Sequence, residues 1–132
     1  MVMGMFSVNS IPSVVLFDSG ASHSFVTKPF VEKSGMKHTR LHNPMLVEIP
    51  GDKTKANHVC NEVPVEIQDK TFHAKIVLGS QGIEVVLGMN WMTKYKGVID
   101  CTKKSIYVTS SDGEKVVYTA TKPSSKIQCP PV

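Results

Sequence analysis

Hydrophobic positions in this chain recur every second residue over short runs, the pattern of half-buried β-strands. Phe6 and Val8 alternate with Ser7 and Asn9, Ile11-Pro12 reads as a turn, and Val14-Val15-Leu16-Phe17 follows without a polar break. A continuous run of that length predicts a strand buried on both faces. Met45, Val47 and Ile49 share one face before the turn signal Pro50-Gly51-Asp52. Val63, Val65 and Ile67 alternate with Pro64 and Glu66, and the alternation resumes at Phe72, Ala74 and Ile76 beyond the polar Gln68-Asp69-Lys70. Ile106 and Val108 face Val116 and Tyr118 across a hairpin centred on Asp112-Gly113.

Two stretches break this period. Thr27 to Gly35 has a capping Thr, an early Pro29 and a terminal Gly, which are helix start and stop signals in the right order. Asn90 to Tyr95 predicts a second short helix, capped by Asn90 and ended before Gly97. Trp91 and Tyr95, one turn apart on it, read as core packing. The pattern as a whole predicts a mainly β domain over residues 1–121. From Lys122 onward Lys, Pro, Ser and Gln take over, which predicts a linker or disordered tail over 122–132.

Composition narrows the function classes. With 132 residues the chain can build one modest core. Cys60, Cys101 and Cys129 are odd in number and far apart, with no Cys-x-x-Cys pair. That spacing suits a reducing compartment and offers neither a disulfide framework nor a zinc site. No metal or cofactor is expected. The net charge of +4 is spread over scattered lysines, and Lys103-Lys104 has no aromatic residues interleaved, so nucleic-acid binding is not expected of this segment. No apolar run is long enough for a membrane span. The absence of a charged-then-apolar leader predicts a cytoplasmic location, not secretion.

The chemistry concentrates at Asp18-Ser19-Gly20-Ala21, entered from the apolar Val14 to Phe17 run. Burying a carboxylate at a strand end is costly unless a partner or a reaction uses it. Gly20 lets the backbone turn and another chain approach. The bland reading is an Asp that caps its own turn. His23, between Ser22 and Ser24, suggests a serine nucleophile with its base, but neighbours on one turn rarely meet in the needed geometry and no third partner is visible. His23 is read as a polar loop residue, and His58, Cys60 and His73 as ordinary strand or loop positions.

The Leu16-Phe17-Asp18-Ser19-Gly20-Ala21-Ser22-His23-Ser24-Phe25 run and the Val86-Leu87-Gly88-Met89-Asn90-Trp91-Met92 run together resemble the protease of gypsy-type long-terminal-repeat retrotransposons. That is a branch of the retroviral-type aspartic proteases, or retropepsins. The resemblance extends from about Gly4 to about Tyr118. It implies a closed, barrel-like β domain with two short helices, one lobe per chain. It implies that Asp18 is catalytic, and that Ser19 braces the loop across the interface. Gly20 would accept a substrate backbone bond, with Ala21 lining the cleft. Leu87-Gly88 would pack behind the Asp loop. The Met45 to Val59 region, with Pro50, Gly51 and Asp52 at its tip, would be a flap closing over an extended peptide. Two departures stand out: this flap has a single glycine followed by Asp52, Lys53 and Lys55, and few residues precede the Phe6 strand.

Such an enzyme needs two carboxylates, and only one such signature exists. Ser111-Asp112-Gly113 lies among polar residues and reads as a hairpin turn. The second carboxylate must then come from a second copy of the chain, which makes a symmetric homodimer a requirement. The resemblance thus implies a homodimeric endopeptidase that matures a retrotransposon Gag-Pol polyprotein inside cytoplasmic virus-like particles. The alternative is a catalytically silent dimerisation or peptide-binding module from a degenerate or domesticated retroelement, since fold alone does not guarantee activity.

Overall fold

A computed structural model describes residues 2–49, 52–79 and 83–120. The expected tail at 122–132 lies outside the described residues, as do Pro50 and Gly51 and the side chains of Met45, Val47, Ile49 and Asp52. Ten strands and two helices follow in the order β1 (Val2–Val8), β2 (Ile11–Phe17), β3 (Ser24–Thr27), α1 (Lys28–Ser34), β4 (Thr39–Ile49), β5 (Asp52–Ile67), β6 (Lys70–Gly79), β7 (Val85–Leu87), α2 (Met89–Lys94), β8 (Val98–Asp100), β9 (Ser105–Thr109) and β10 (Lys115–Thr119).

Six strands close a barrel in the order β1-β2-β7-β3-β6-β5, with β5 returning to β1 through Ser7↔Glu66 and Val8↔Val65. Closure leaves these strands without free edges over the paired length. β4 extends the sheet outward from β5. The predicted alternation is what fills the interior: Val63, Val65, Ile67, Phe72, Ala74 and Ile76 are all buried in one core with Val8, Val15 and Phe17. Trp91 and Tyr95 sit in that core too, their rings 5.4 Å apart and in contact with Phe72.

The first hairpin differs from expectation. It turns at Asn9-Ser10, with φ of 51° and 69°, and Ile11-Pro12 already belongs to β2, paired with Val8 and Ser7. Two left-handed residues in a two-residue loop match the twist of the strands they join. Asn9 tolerates that conformation, and its side-chain amide donates to the Ser34 carbonyl at 3.0 Å.

Helix α1 forms as its signals predict. Thr27 Oγ1 accepts from the Phe30 amide at 3.4 Å, and Gly35 closes the helix at φ 68°. The second sheet, β10-β9-β8, buries Ile106, Val108 and Val116 against the same core. Its register, Val116↔Val108 and Tyr118↔Ile106, is the predicted one. Lys70 bridges from the β5–β6 turn to Asp112 and Glu114 of this hairpin. The Ser110 hydroxyl, followed by the Lys70 ammonium, holds the Asp112 carboxyl down to about 2.

Candidate active site

The parallel pairing of β2 with β7 builds the site. Phe17 lies opposite Leu87, so Asp18 leaves β2 level with Gly88 leaving β7. On the other side of β7, β3 runs antiparallel, with Phe25 opposite Val86. The loop from Asp18 to His23 therefore wraps around the end of β7.

Backbone bonds fix this loop to β7 and α2. The Asp18 amide donates to the Leu87 carbonyl at 3.0 Å, and the Met89 amide donates to the Ala21 carbonyl at 2.8 Å. Ser24 Oγ accepts from the Gly88 amide at 3.1 Å and donates to Asn90 Oδ1 at 2.8 Å. Asn90 Nδ2 in turn donates to the Lys75 carbonyl at 3.1 Å. Asn90 is thus not the cap of α2. Gly88 occupies that position without a side-chain bond, because the Asn90 amide is committed to Ser24 and β6. Ser24 and Asn90 are site residues that sequence reasoning missed, since a bond between positions 66 apart leaves no local pattern. Ser24→Ala strips partners from the Gly88 N–H and from Asn90 Oδ1 together. A loss of about 2 kcal/mol is expected by urea denaturation.

Asp18 is 6 % exposed. Its Oδ1 accepts from the Gly20 amide at 2.8 Å, so the residue does cap its own turn. That accounts for one oxygen. Oδ2 is buried with no hydrogen-bond partner. Among the described residues the other such side-chain atom is Trp91 Nε1, packed within the aromatic cluster. An orphaned carboxylate oxygen is the costlier of the two, and it marks a position where a partner belongs.

Ser19 and Gly20 are exposed beside this carboxyl. A Cβ at Gly20 would come within 3.1 Å of Asp18 Oδ1. Ala21 is fully buried and belongs to a second apolar cluster with Leu16, Phe25, Ala56, Val77 and Val86. These side chains alternate along β2, β7, β3 and β6 with those that fill the barrel, so the cluster lies on the outer face of the strands carrying the Asp loop. The unbroken runs Val14 to Phe17 and Val85 to Leu87 carried the signal for this two-sided burial. Leu87 is buried in the barrel core, and Gly88 is where the Asp loop crosses most closely. His23 accompanies Ser22, whose Oγ lies 2.9 Å from His23 Nδ1. Among the described residues no group of three or more His, Cys, Asp or Glu side chains could hold a metal ion, and no helix is long and apolar enough to cross a membrane.

Residues 1–114 match the family model described as retroviral aspartyl protease. The chain belongs to that family. Solved structures agree on the fold. The retroviral protease-like domain of Ddi1 from Leishmania major superposes with a TM-score of 0.60 at 16 % identity, over 82 % of this chain and 87 % of that one. EIAV protease complexed with the inhibitor HBY-793 superposes with a TM-score of 0.57 at 14 % identity, over 70 % of this chain and 85 % of that one. A search of curated proteins finds no match. The closed barrel with two helices is therefore the retropepsin-like fold, and Asp18-Ser19-Gly20 lies within the matched segment of this family member.

Proposed function

We propose that this chain is one half of a homodimeric aspartic endopeptidase, acting on extended segments of a gypsy-type retrotransposon Gag-Pol polyprotein in cytoplasmic particles. The observation that carries the reading is the Asp18 carboxyl, held by Gly20 through one oxygen and buried without a partner at the other. A second Asp18 across a two-fold axis is a fitting partner. Like charges so close cannot both persist, so the pair shares one proton. The ionised carboxyl takes a proton from a bound water, whose oxygen attacks the peptide carbonyl, while the protonated carboxyl donates to the developing oxyanion. Collapse of the tetrahedral intermediate passes the proton taken from water to the departing nitrogen, while the other carboxyl recovers its proton from the intermediate's hydroxyl, so the pair again holds one proton. Substrate lies as an added strand, its main chain bonded to Gly20 and its apolar side chains against the Leu16, Phe25 and Val86 face. The β4–β5 hairpin, paired out to Ile49↔Asp52, serves as the flap.

The second reading is a silent dimerisation or peptide-binding module. It is favoured by the fold likeness to a domain described as protease-like.

The test couples oligomeric state to activity. A fluorogenic, extended hydrophobic peptide is cleaved with a bell-shaped pH profile centred in mild acid, and a statine-type mimic of the tetrahedral intermediate blocks it. Specific activity rises with protein concentration in step with the dimer fraction from analytical ultracentrifugation. Activity that stays constant through dissociation to monomer refutes the shared-dyad reading. A well-formed dimer with no cleavage selects the binding module.

A further inference from the structure

We infer that Glu84 is a positioning residue for Asp18: its side chain fixes the height at which the β1–β2 hairpin, and with it the acid, sits against β7. The inference rests on the aspartic protease reading above. β2 and β7 pair in parallel through Val15↔Val85, Leu16↔Val86 and Phe17↔Leu87. Past the last of these the Asp18 amide continues the pairing by donating to the Leu87 carbonyl at 3.0 Å. Before the first, the same register brings Val14 beside Glu84, and there a side chain takes the place of the backbone acceptor. Glu84 Oε1 accepts from the Val14 amide at 3.2 Å and from the Ser13 hydroxyl at 3.2 Å. The Glu84 carbonyl serves the opposite side, accepting from the Thr27 amide at 3.1 Å, where α1 begins.

One residue thus ties both neighbours of β7 at the level where that strand begins. The Ser13 side of this tie is fully buried. The β1–β2 hairpin is paired along its whole length, from Val2↔Phe17 to Val8↔Ile11. Its remaining sheet pairing among the described residues is with β7 and, at Ser7 and Val8, with β5. A hairpin held in this way moves as a unit, sliding along β7 before it unzips, and a short parallel pairing resists sliding weakly. A slip of one residue carries Asp18 about 3.3 Å. Two carboxyls that share a proton tolerate far less, since a misplacement of about 1 Å costs about a hundredfold in rate. Lys33 Nζ lies 3.8 Å from Glu84 Oε2 on an exposed side chain, and a surface pair of that kind adds little. The acceptor oxygen, not the charge, holds the hairpin.

Wild type, Glu84→Ala, Glu84→Gln and Lys33→Ala, assayed on the extended peptide and by amide hydrogen exchange, provide the test. Gln keeps an oxygen for Val14 and Ser13, and Ala keeps none. For Glu84→Ala, kcat is expected to fall about tenfold or more while KM stays within about twofold. Glu84→Gln recovers most of the loss, and Lys33→Ala matches wild type. In Glu84→Ala the Asp18 and Gly20 amides, bonded to the Leu87 carbonyl and to Asp18 Oδ1, exchange about tenfold faster, while amides paired between β5 and β6 keep their wild-type rates. Should Glu84→Ala not fold, Glu84→Met, which keeps the length of the side chain without a carboxylate acceptor, gives the same signature. Acceleration of all these amides alike reports a general loss of stability and overturns the inference. Unchanged exchange at Asp18 and Gly20 does so too, as does an unchanged kcat beside an active wild type, or a Gln variant no better than Ala. Exchange needs no cleavage, so selective loosening of the Asp loop in a protein whose wild type cuts nothing upholds the role of Glu84 and sinks the protease reading instead.

Discussion

Asp18→Asn is expected to lower kcat by at least about a thousandfold, the scale of a lost general acid–base group, while the fold persists. Asn keeps an oxygen to accept from the Gly20 amide, now bonded at 2.8 Å to Asp18 Oδ1, and it matches the carboxyl in shape. What it loses is the ability to exchange a proton at the position of Oδ2, the atom buried without a partner. The dimer requirement makes a sharper version available. In an equal mixture of wild-type and variant chains that exchange freely, only about a quarter of the dimers carry two carboxyls. Activity per wild-type chain then falls to about half. A strictly proportional response instead shows that each chain acts alone, and the two-fold mechanism is wrong.

Gly88→Ala is expected to be the most destabilising single change in the site. A Cβ there would stand 2.3 Å from the His23 carbonyl oxygen and 2.7 Å from that of Ala21. Both neighbours are backbone, and the Ala21 carbonyl is already held by the Met89 amide at 2.8 Å, so no flexible side chain can swing aside. The loop must move or the barrel must open, at a cost of about 3 kcal/mol or more. For a domain of this size that lowers Tm by roughly 15 °C. Gly35→Ala is the control: its φ is 68°, but nothing stands within 4 Å of the added methyl, so about 1 kcal/mol is expected. Calorimetric scans of both variants check the contrast. A Gly88→Ala protein melting within a few degrees of wild type means that the Asp loop is free to shift and the pinned-loop account fails.

The residues that declared themselves in the linear chain did so through local physics. Val63, Val65 and Ile67 against Phe72, Ala74 and Ile76 reported two strands because a pleated strand turns alternate side chains to one face. Thr27, Pro29 and Gly35 reported a helix because its unpaired end groups need a hydroxyl at one end and a left-handed residue at the other. Asn9-Ser10 was less readable than Ile11-Pro12, although it forms the turn. Pro12 suggests a corner by composition, but its fixed φ is also compatible with a strand, and the Asn9 amide finds its partner 25 residues away at Ser34.

The amino-acid order by itself determined the longer alternating strands, the two helices and the acid that stands at the end of a buried run, but neither the short β3 and β8 nor the place of the first turn. Only the tertiary structure decided that this acid has one oxygen satisfied and one orphaned, that Ser24 and Asn90 lock the loop, and that His23 stands level with Asp18 across Gly88. The reason is geometric. Each of these facts depends on β7 being laid between β2 and β3, contacts between segments about sixty to seventy residues apart that no local periodicity encodes.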